Sequence, residues 1–200
     1  MHNSRKYAAT ASIVGLAMAG LMASPALASG GDGTPPTTTA LVNEGELAIT
    51  NLPSKADFAP SDVTGKAQDI TADGLTFSVA DLRGSGDGWN VTAKASTFAG
   101  TGFHGGTAHT PNTLLPGSLT MSPATTVDPE EGTESEPPEA NGSDDYLIDD
   151  GDAVKIAAAA VDKGMGTYDF SGIILTLHLP ADVYADAYSS TVTLTSVTAP

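Results

Sequence analysis

The 200-residue chain contains no cysteine. A disulfide framework is excluded, so stability has to come from apolar burial and hydrogen bonding. Cations are scarce as well, with eight Lys and Arg against 24 Asp and Glu. A surface of that sign repels nucleic acid, anionic lipid and other polyanions, which excludes DNA or RNA binding. There is one tryptophan. There is also one long apolar run, from residue 7 to residue 22, shorter than the roughly 20 residues that a membrane span needs.

That run follows the basic pair Arg5-Lys6 and precedes Ser24-Pro25-Ala26-Leu27-Ala28. A charged start, a short apolar stretch and an Ala-x-Ala site make residues 1–28 a secretory signal peptide, cleaved after Ala28. Removing 28 of the 200 residues leaves 172, enough for one domain with a real core. The leader takes two of the eight cations and no carboxylate, so six cations face 24 acids and the mature charge is −18. No membrane insertion of the mature chain is expected. Leu115-Pro116-Gly117-Ser118 is internal, lacks the Thr-Gly ending of a covalent wall-sorting motif and has no hydrophobic tail behind it. Retention on a surface would therefore be non-covalent.

Residues 29–40, rich in Gly, Pro and Thr, read as a flexible leader. From Glu46 the apolar pattern has period two. Leu47 and Ile49 alternate with polar or small residues, as do Leu75, Phe77 and Val79, then Trp89, Val91, Ala93 and Ala95. The Gly-rich turn between residues 79 and 89 predicts that the last two segments form a hairpin. Ile173, Leu175, Leu177 and Leu179 mark another strand, and Tyr188, Val192 and Leu194 share a face of the last one. Residues 153–160 are rich in alanine, the best helix former, but the stretch is short for a self-supporting helix and reads as strand. The expected fold is all-β, an antiparallel β-sandwich of the immunoglobulin-like two-sheet kind.

Residues 122–152 differ in kind. From Asp128 to Asp152 there are 11 acidic residues and no basic one, broken by Pro and Gly. Such composition predicts a long acidic disordered insertion in the domain spanning 41–200.

The stretch Val79-Ala80-Asp81-Leu82-Arg83-Gly84-Ser85-Gly86-Asp87-Gly88-Trp89-Asn90-Val91-Thr92-Ala93, followed by Phe98, resembles the first signature of WxL-domain proteins, secreted by Gram-positive bacteria. Gly164-Met165-Gly166-Thr167-Tyr168-Asp169-Phe170, Leu177-His178-Leu179-Pro180, Tyr188 and Thr191-Val192-Thr193 follow that family's closing segment in order. The resemblance covers about residues 41–200. Val91 stands where leucine is usual. In the second motif Leu194 aligns with the family's distal Trp and Ser196 with its Leu, so that motif is lost as chemistry. The resemblance implies a domain that attaches to the cell wall without a covalent bond by binding peptidoglycan, often beside companion membrane-anchored proteins. The alternative is an adhesion or interaction subunit that docks on such a companion.

The candidate binding residues are Trp89, Val91, Arg83 and Asn90. An indole face can stack on a sugar ring while its N–H bonds, and the competing reading of Trp89 is a core residue packed with Phe77 and Phe98. Arg83 either holds Asp81 or Asp87 or meets a wall-peptide carboxylate. Gly84-x-Gly86-x-Gly88 runs into a strand rather than a helix, against a phosphate loop.

No cofactor is expected. Asp144, Asp145, Asp149, Asp150 and Asp152 offer the hard oxygen ligands of calcium, but their spacing is not an EF-hand loop, and a solvated acidic loop is the competing reading. His104, His109 and His178 lack a third ligand for zinc. Without a Gly-x-Ser-x-Gly elbow or a thiol, no enzyme is expected. On an anionic wall a −18 domain gains nothing from bulk charge, so local contacts or bridging divalent ions must hold it.

Overall fold

The computed structural model describes residues 40–199 apart from Gly105, Gly106, His109 and Pro111, with backbone only at Phe103 and His104. The expected signal peptide, nearly all of the expected leader and the side chains of His104 and His109 lie outside the described residues. Within them the regular elements are all strands, as the period-two pattern requires. In chain order these are β1 (Leu47–Thr50), β2 (Gln68–Asp81), β3 (Trp89–Ala95), β4 (Ala99–Gly100), β5 (Phe103–His104), β6 (Thr107–Ala108) and β7 (Leu119–Met121). They continue with β8 (Thr126–Pro129), β9 (Glu139–Ala140), β10 (Tyr146–Leu147) and β11 (Val154–Ala159). Last come β12 (Gly166–Leu179), β13 (Tyr188–Ser189) and β14 (Val192–Thr198). They belong to one compact unit, Val42–Pro200.

Two antiparallel sheets carry the fold. The larger runs β1-β2-β12-β7-β10, with β8 also on β12, and the smaller runs β14-β3-β11-β9. β12 is the spine of the first. It pairs with β2 along its length, with β8 through 168–171 and with β7 through 175–177. Short pairs β4/β13 and β5/β6 stand apart. The sheets curl toward each other where Ala95 N–H donates to the Ile148 carbonyl beyond β10.

The inward residues of both sheets form one apolar cluster, with Phe77, Val79, Tyr168 and Phe170 from the first and Trp89, Val91, Ala93 and Ile156 from the second. Phe77 stacks on Phe170 at 4.8 Å between ring centroids, and Trp89 meets Phe170 edge-on at 6.3 Å. Residues 154–159 are strand, as expected. Paired to β3 on one side and β9 on the other, this stretch gains from ladder bonds and from burying Ile156, Ala157 and Ala159 what a lone alanine helix would lack.

Three expectations need correction. The β2 and β3 segments do not form a hairpin. β2 pairs with β1 and β12, β3 with β11 and β14, and the turn 82–88 carries the chain from one sheet to the other. Residues 188–194 are not one strand, because Tyr188–Ser189 pairs with β4 before β14 begins on β3.

The acidic segment 122–152 is not a disordered insertion either. It supplies β8, β9 and β10, and it buries Pro138 and Ile148. Tyr168 Oη donates to the Ser135 carbonyl at 2.6 Å, and Gly164 N–H to that of Glu136 at 2.8 Å. Asp149 is 2% exposed and accepts from the backbone N–H groups of Gly117, Ser118 and Leu119 at 2.9–3.2 Å. Mean composition misses this, because a few spaced anchors, the buried Asp149 carboxylate among them, and backbone pairing suffice to place a segment whose other charges point to water.

Candidate functional site

The turn 82–88 brings the first group of candidates together. Trp89 opens β3 and is fully buried, opposite Ala159 of β11. Its indole Nε1–H donates to the Gly164 carbonyl at 3.0 Å. Two glycines make room for it. A Cβ at Gly88 (φ 70°) would sit 2.5 Å from the Ala159 carbonyl oxygen, and one at Gly164 (φ 68°) 2.5 Å from the Ala159 Cβ and 3.0 Å from Nε1. Val91 is as buried as Trp89. Both of these candidate binding residues are turned into the core in this fold. The signature is a packing unit, and its aromatic partner is Phe170 rather than Phe77 or Phe98.

Arg83 is committed within the chain. Its guanidinium grips Asp81 with two bonds of 2.9 Å, and donates to the Gly88 carbonyl at 2.9 Å and to Thr198 Oγ1 at 2.6 Å. This ties the turn to the end of β14 and engages every guanidinium nitrogen within the chain. The guanidinium hydrogen bonds hold the Asp81 carboxyl below its ordinary 3.8, against the opposing effect of burial. Asn90 alone of the four candidates lies on the outer face of β3, half-exposed, alongside Thr92 and Lys94.

The two motif strands are neighbours. Ser196 of β14 stands opposite Val91 of β3, and Leu194 opposite Ala93. The second signature position thus lies beside the first, with Leu194 half-buried on the inward face.

An open site lies elsewhere, at one end of the unit. The segment 51–67 between β1 and β2 crosses that end as a strap. Asn51 Nδ2 bonds Ser78 Oγ at 3.0 Å at its start, and Gln68 Nε2 bonds the Asp62 carbonyl at 2.9 Å near its finish. In its middle Phe58 meets Phe98 edge-on at 5.9 Å. A cleft opens on each side of that contact. One, of about 410 Å³, is lined by Phe58, Asp62, Gln68, Tyr184, Asp186 and Tyr188 among others. The other, of about 460 Å³, reaches inward to Leu75, Leu119, Leu175 and Leu194. Tyr184 is 64% exposed. Tyr188 Oη donates to the Tyr184 carbonyl at 3.0 Å, and burial together with the nearby Asp186 charge raises its pKa, so it stays a neutral phenol. The Asp186 carboxylate accepts from Thr101 Oγ1 and Gly102 N–H.

No sequence motif singles out Phe58 or Tyr184. Only the spaced aromatics of 58, 98, 184 and 188 signalled them, and nothing in the order of residues shows that they converge. Among the described residues no group of three or more His, Cys, Asp or Glu side chains converges on a metal position. Of the five aspartates considered for calcium, Asp149 is turned inward onto backbone amides while the other four face solvent. His178 makes an exposed pair with Asp69 at 2.6 Å.

The family model of the WxL domain, a surface cell wall-binding domain, matches residues 24–200. The chain belongs to the WxL domain family. This WxL protein is therefore extracellular and cell wall-associated, and its family is a binding family rather than an enzymatic one. No curated protein and no solved structure gives a significant match. The Trp89 signature that identifies the WxL domain is part of its core, and two open clefts flank the strap.

Proposed function

We propose that this protein is exported from a Gram-positive bacterium by its signal peptide and attaches non-covalently to the wall by binding peptidoglycan, on a β-sandwich scaffold formed by the two curled sheets. The family match over residues 24–200 carries this reading. Charge supports a local mode of contact, because 24 carboxylates against eight cations make bulk attraction to an anionic wall unfavourable.

A second reading is docking on a companion surface protein. It draws on the outer face of the β14-β3-β11 sheet, where Asn90, Thr92, Thr193 and Thr195 surround Lys94 and Lys155. Those two lysines make no ion pair among the described residues, a small cationic area on an acidic protein.

Co-sedimentation of the secreted chain with protein-free sacculi, with and without chelator, tests the first reading. Retention in both conditions is expected. Retention that appears only when a companion protein is supplied would replace it with the second reading, and loss on chelation would shift the contact to bridging divalent ions.

A further inference from the structure

We propose that the cleft between the strap and Tyr184 is a sugar subsite that takes uncharged pyranose units of the wall glycan strand, with Tyr184 as the platform. This rests on the reading that the protein binds peptidoglycan, and it moves the contact away from the family signature.

The signature offers no surface, since Trp89 and Val91 are wholly buried and every group of the Arg83 fork is engaged. In the cleft the opposite holds. Tyr184 is the most exposed aromatic ring lining it, with half-buried Phe58 and Tyr188 beside it. A ring with an apolar face and a polar rim matches the C–H face and equatorial hydroxyls of a pyranose. A volume of about 410 Å³ is within the range of small-ligand sites and fits one or two sugar rings.

The polar groups at its edge define the ligand further. Asp62 lines the cleft, and its carboxylate makes no hydrogen bond or ion pair among the described residues, so it is free to accept from sugar hydroxyl or amide N–H groups. Gln68 lies beside it, with its side-chain amide tied to the Asp62 backbone. Asp186 lines the cleft as well, its carboxylate held by Thr101 Oγ1 and Gly102 N–H, and among the described residues no Lys, Arg or His lines this cleft. A phosphate polymer or the carboxylate end of a stem peptide would find no cation among the described residues of the lining. An N-acetylated neutral sugar meets aromatic faces and acceptors.

The test uses the secreted chain, sacculi stripped of anionic polymer, and the soluble β-1,4-linked N-acetylglucosamine trimer as competitor. The trimer is expected to displace the protein from sacculi. Tyr184→Ala is expected to weaken both sacculus retention and trimer affinity at least tenfold with an unchanged melting temperature, since the ring is on the surface. Asp62→Asn is expected to weaken trimer affinity several-fold while Tyr184→Phe retains it.

Retention that neither the trimer nor Tyr184→Ala disturbs would overturn the subsite and leave peptidoglycan binding standing. So would displacement by free stem peptide and not by the trimer. Absence of wild-type retention would instead overturn the peptidoglycan reading, and the subsite with it.

Discussion

The indole N–H of Trp89 donates to the carbonyl of Gly164 across 75 residues of sequence, at 3.0 Å, in a site closed to solvent. The bond joins the first strand of the smaller sheet to the turn that leads into β12, so the residue that names the family joins parts of the chain distant in sequence. Because the chain has one tryptophan, its emission reports this contact alone. The folded protein is expected to show blue-shifted emission protected from acrylamide, and neither property should change when sacculi are added. A red shift or increased quenching on binding would place the indole at the ligand after all. Trp89→Phe keeps the apolar body but strands the Gly164 carbonyl, which should cost about 1–3 kcal/mol in denaturant unfolding without reducing retention.

Gly164 faces the same contact from the other side. A methyl group there would collide with the Ala159 Cβ at 2.5 Å, on a backbone whose φ of 68° already disfavours any L side chain. The two effects add, a left-handed backbone costing about 1–2 kcal/mol and overpacking about 1–3. Gly164→Ala is expected to lower stability by about 2–4 kcal/mol, measured by urea unfolding followed through Trp89. A loss below 1 kcal/mol would mean that the turn yields and the packing is not fixed as described.

The Arg83–Asp81 pair predicts a pH dependence. Asp81 is almost fully buried and Arg83 mostly so. Since hydrogen bonding to Arg83 holds the Asp81 carboxyl below its ordinary 3.8, the unfolded chain takes up this proton before the folded one as pH falls. The pair's contribution is therefore complete above about 3.8 and is lost as pH falls through the lower folded value. The stability difference between wild type and Asp81→Asn should be constant near neutral pH and shrink below that point. Arg83→Met should cost about 3 kcal/mol at pH 7, because it leaves a buried carboxylate without its partner, and Asp81→Asn combined with Arg83→Met should cost less than the two single losses added.

Alternation was the legible part of the fold. Leu75, Phe77 and Val79, and Trp89, Val91, Ala93 and Ala95, point inward as their period-two spacing requires. Partnership was not legible, because the apolar pattern of β2 is equally satisfied by β3 or by β12, and only the long-range packing of Phe77 on Phe170 decides it. The acidic segment misled for a related reason. Asp149 counts as one more charge in composition, yet in the fold its carboxylate satisfies three amides of residues 117–119. For the site, sequence marked the Trp89 turn because its residues are contiguous. The strap cleft draws on residues from 52 to 194, and no local pattern records their meeting.

The two motif strands meet the inner cleft at Leu194. Leu194 is half-buried on β14, opposite Ala93, and lines the cleft of about 460 Å³ that runs inward from Phe58. A larger flat side chain at 194 would extend into that space beside Phe98 and Leu119, which line it too. The inward direction of the strand is fixed by its register with β3, so the added surface is buried rather than displayed. Leu194→Trp should accordingly stabilise the fold by about 0.5–2 kcal/mol, as cavity-filling changes do, and raise the melting temperature. The same substitution should leave affinity for the N-acetylglucosamine trimer within twofold, since Leu194 does not line the cleft that holds Tyr184. A drop in melting temperature would show that the space under the strap is not available to a core side chain, and a large loss of trimer affinity would show that the two clefts act as one.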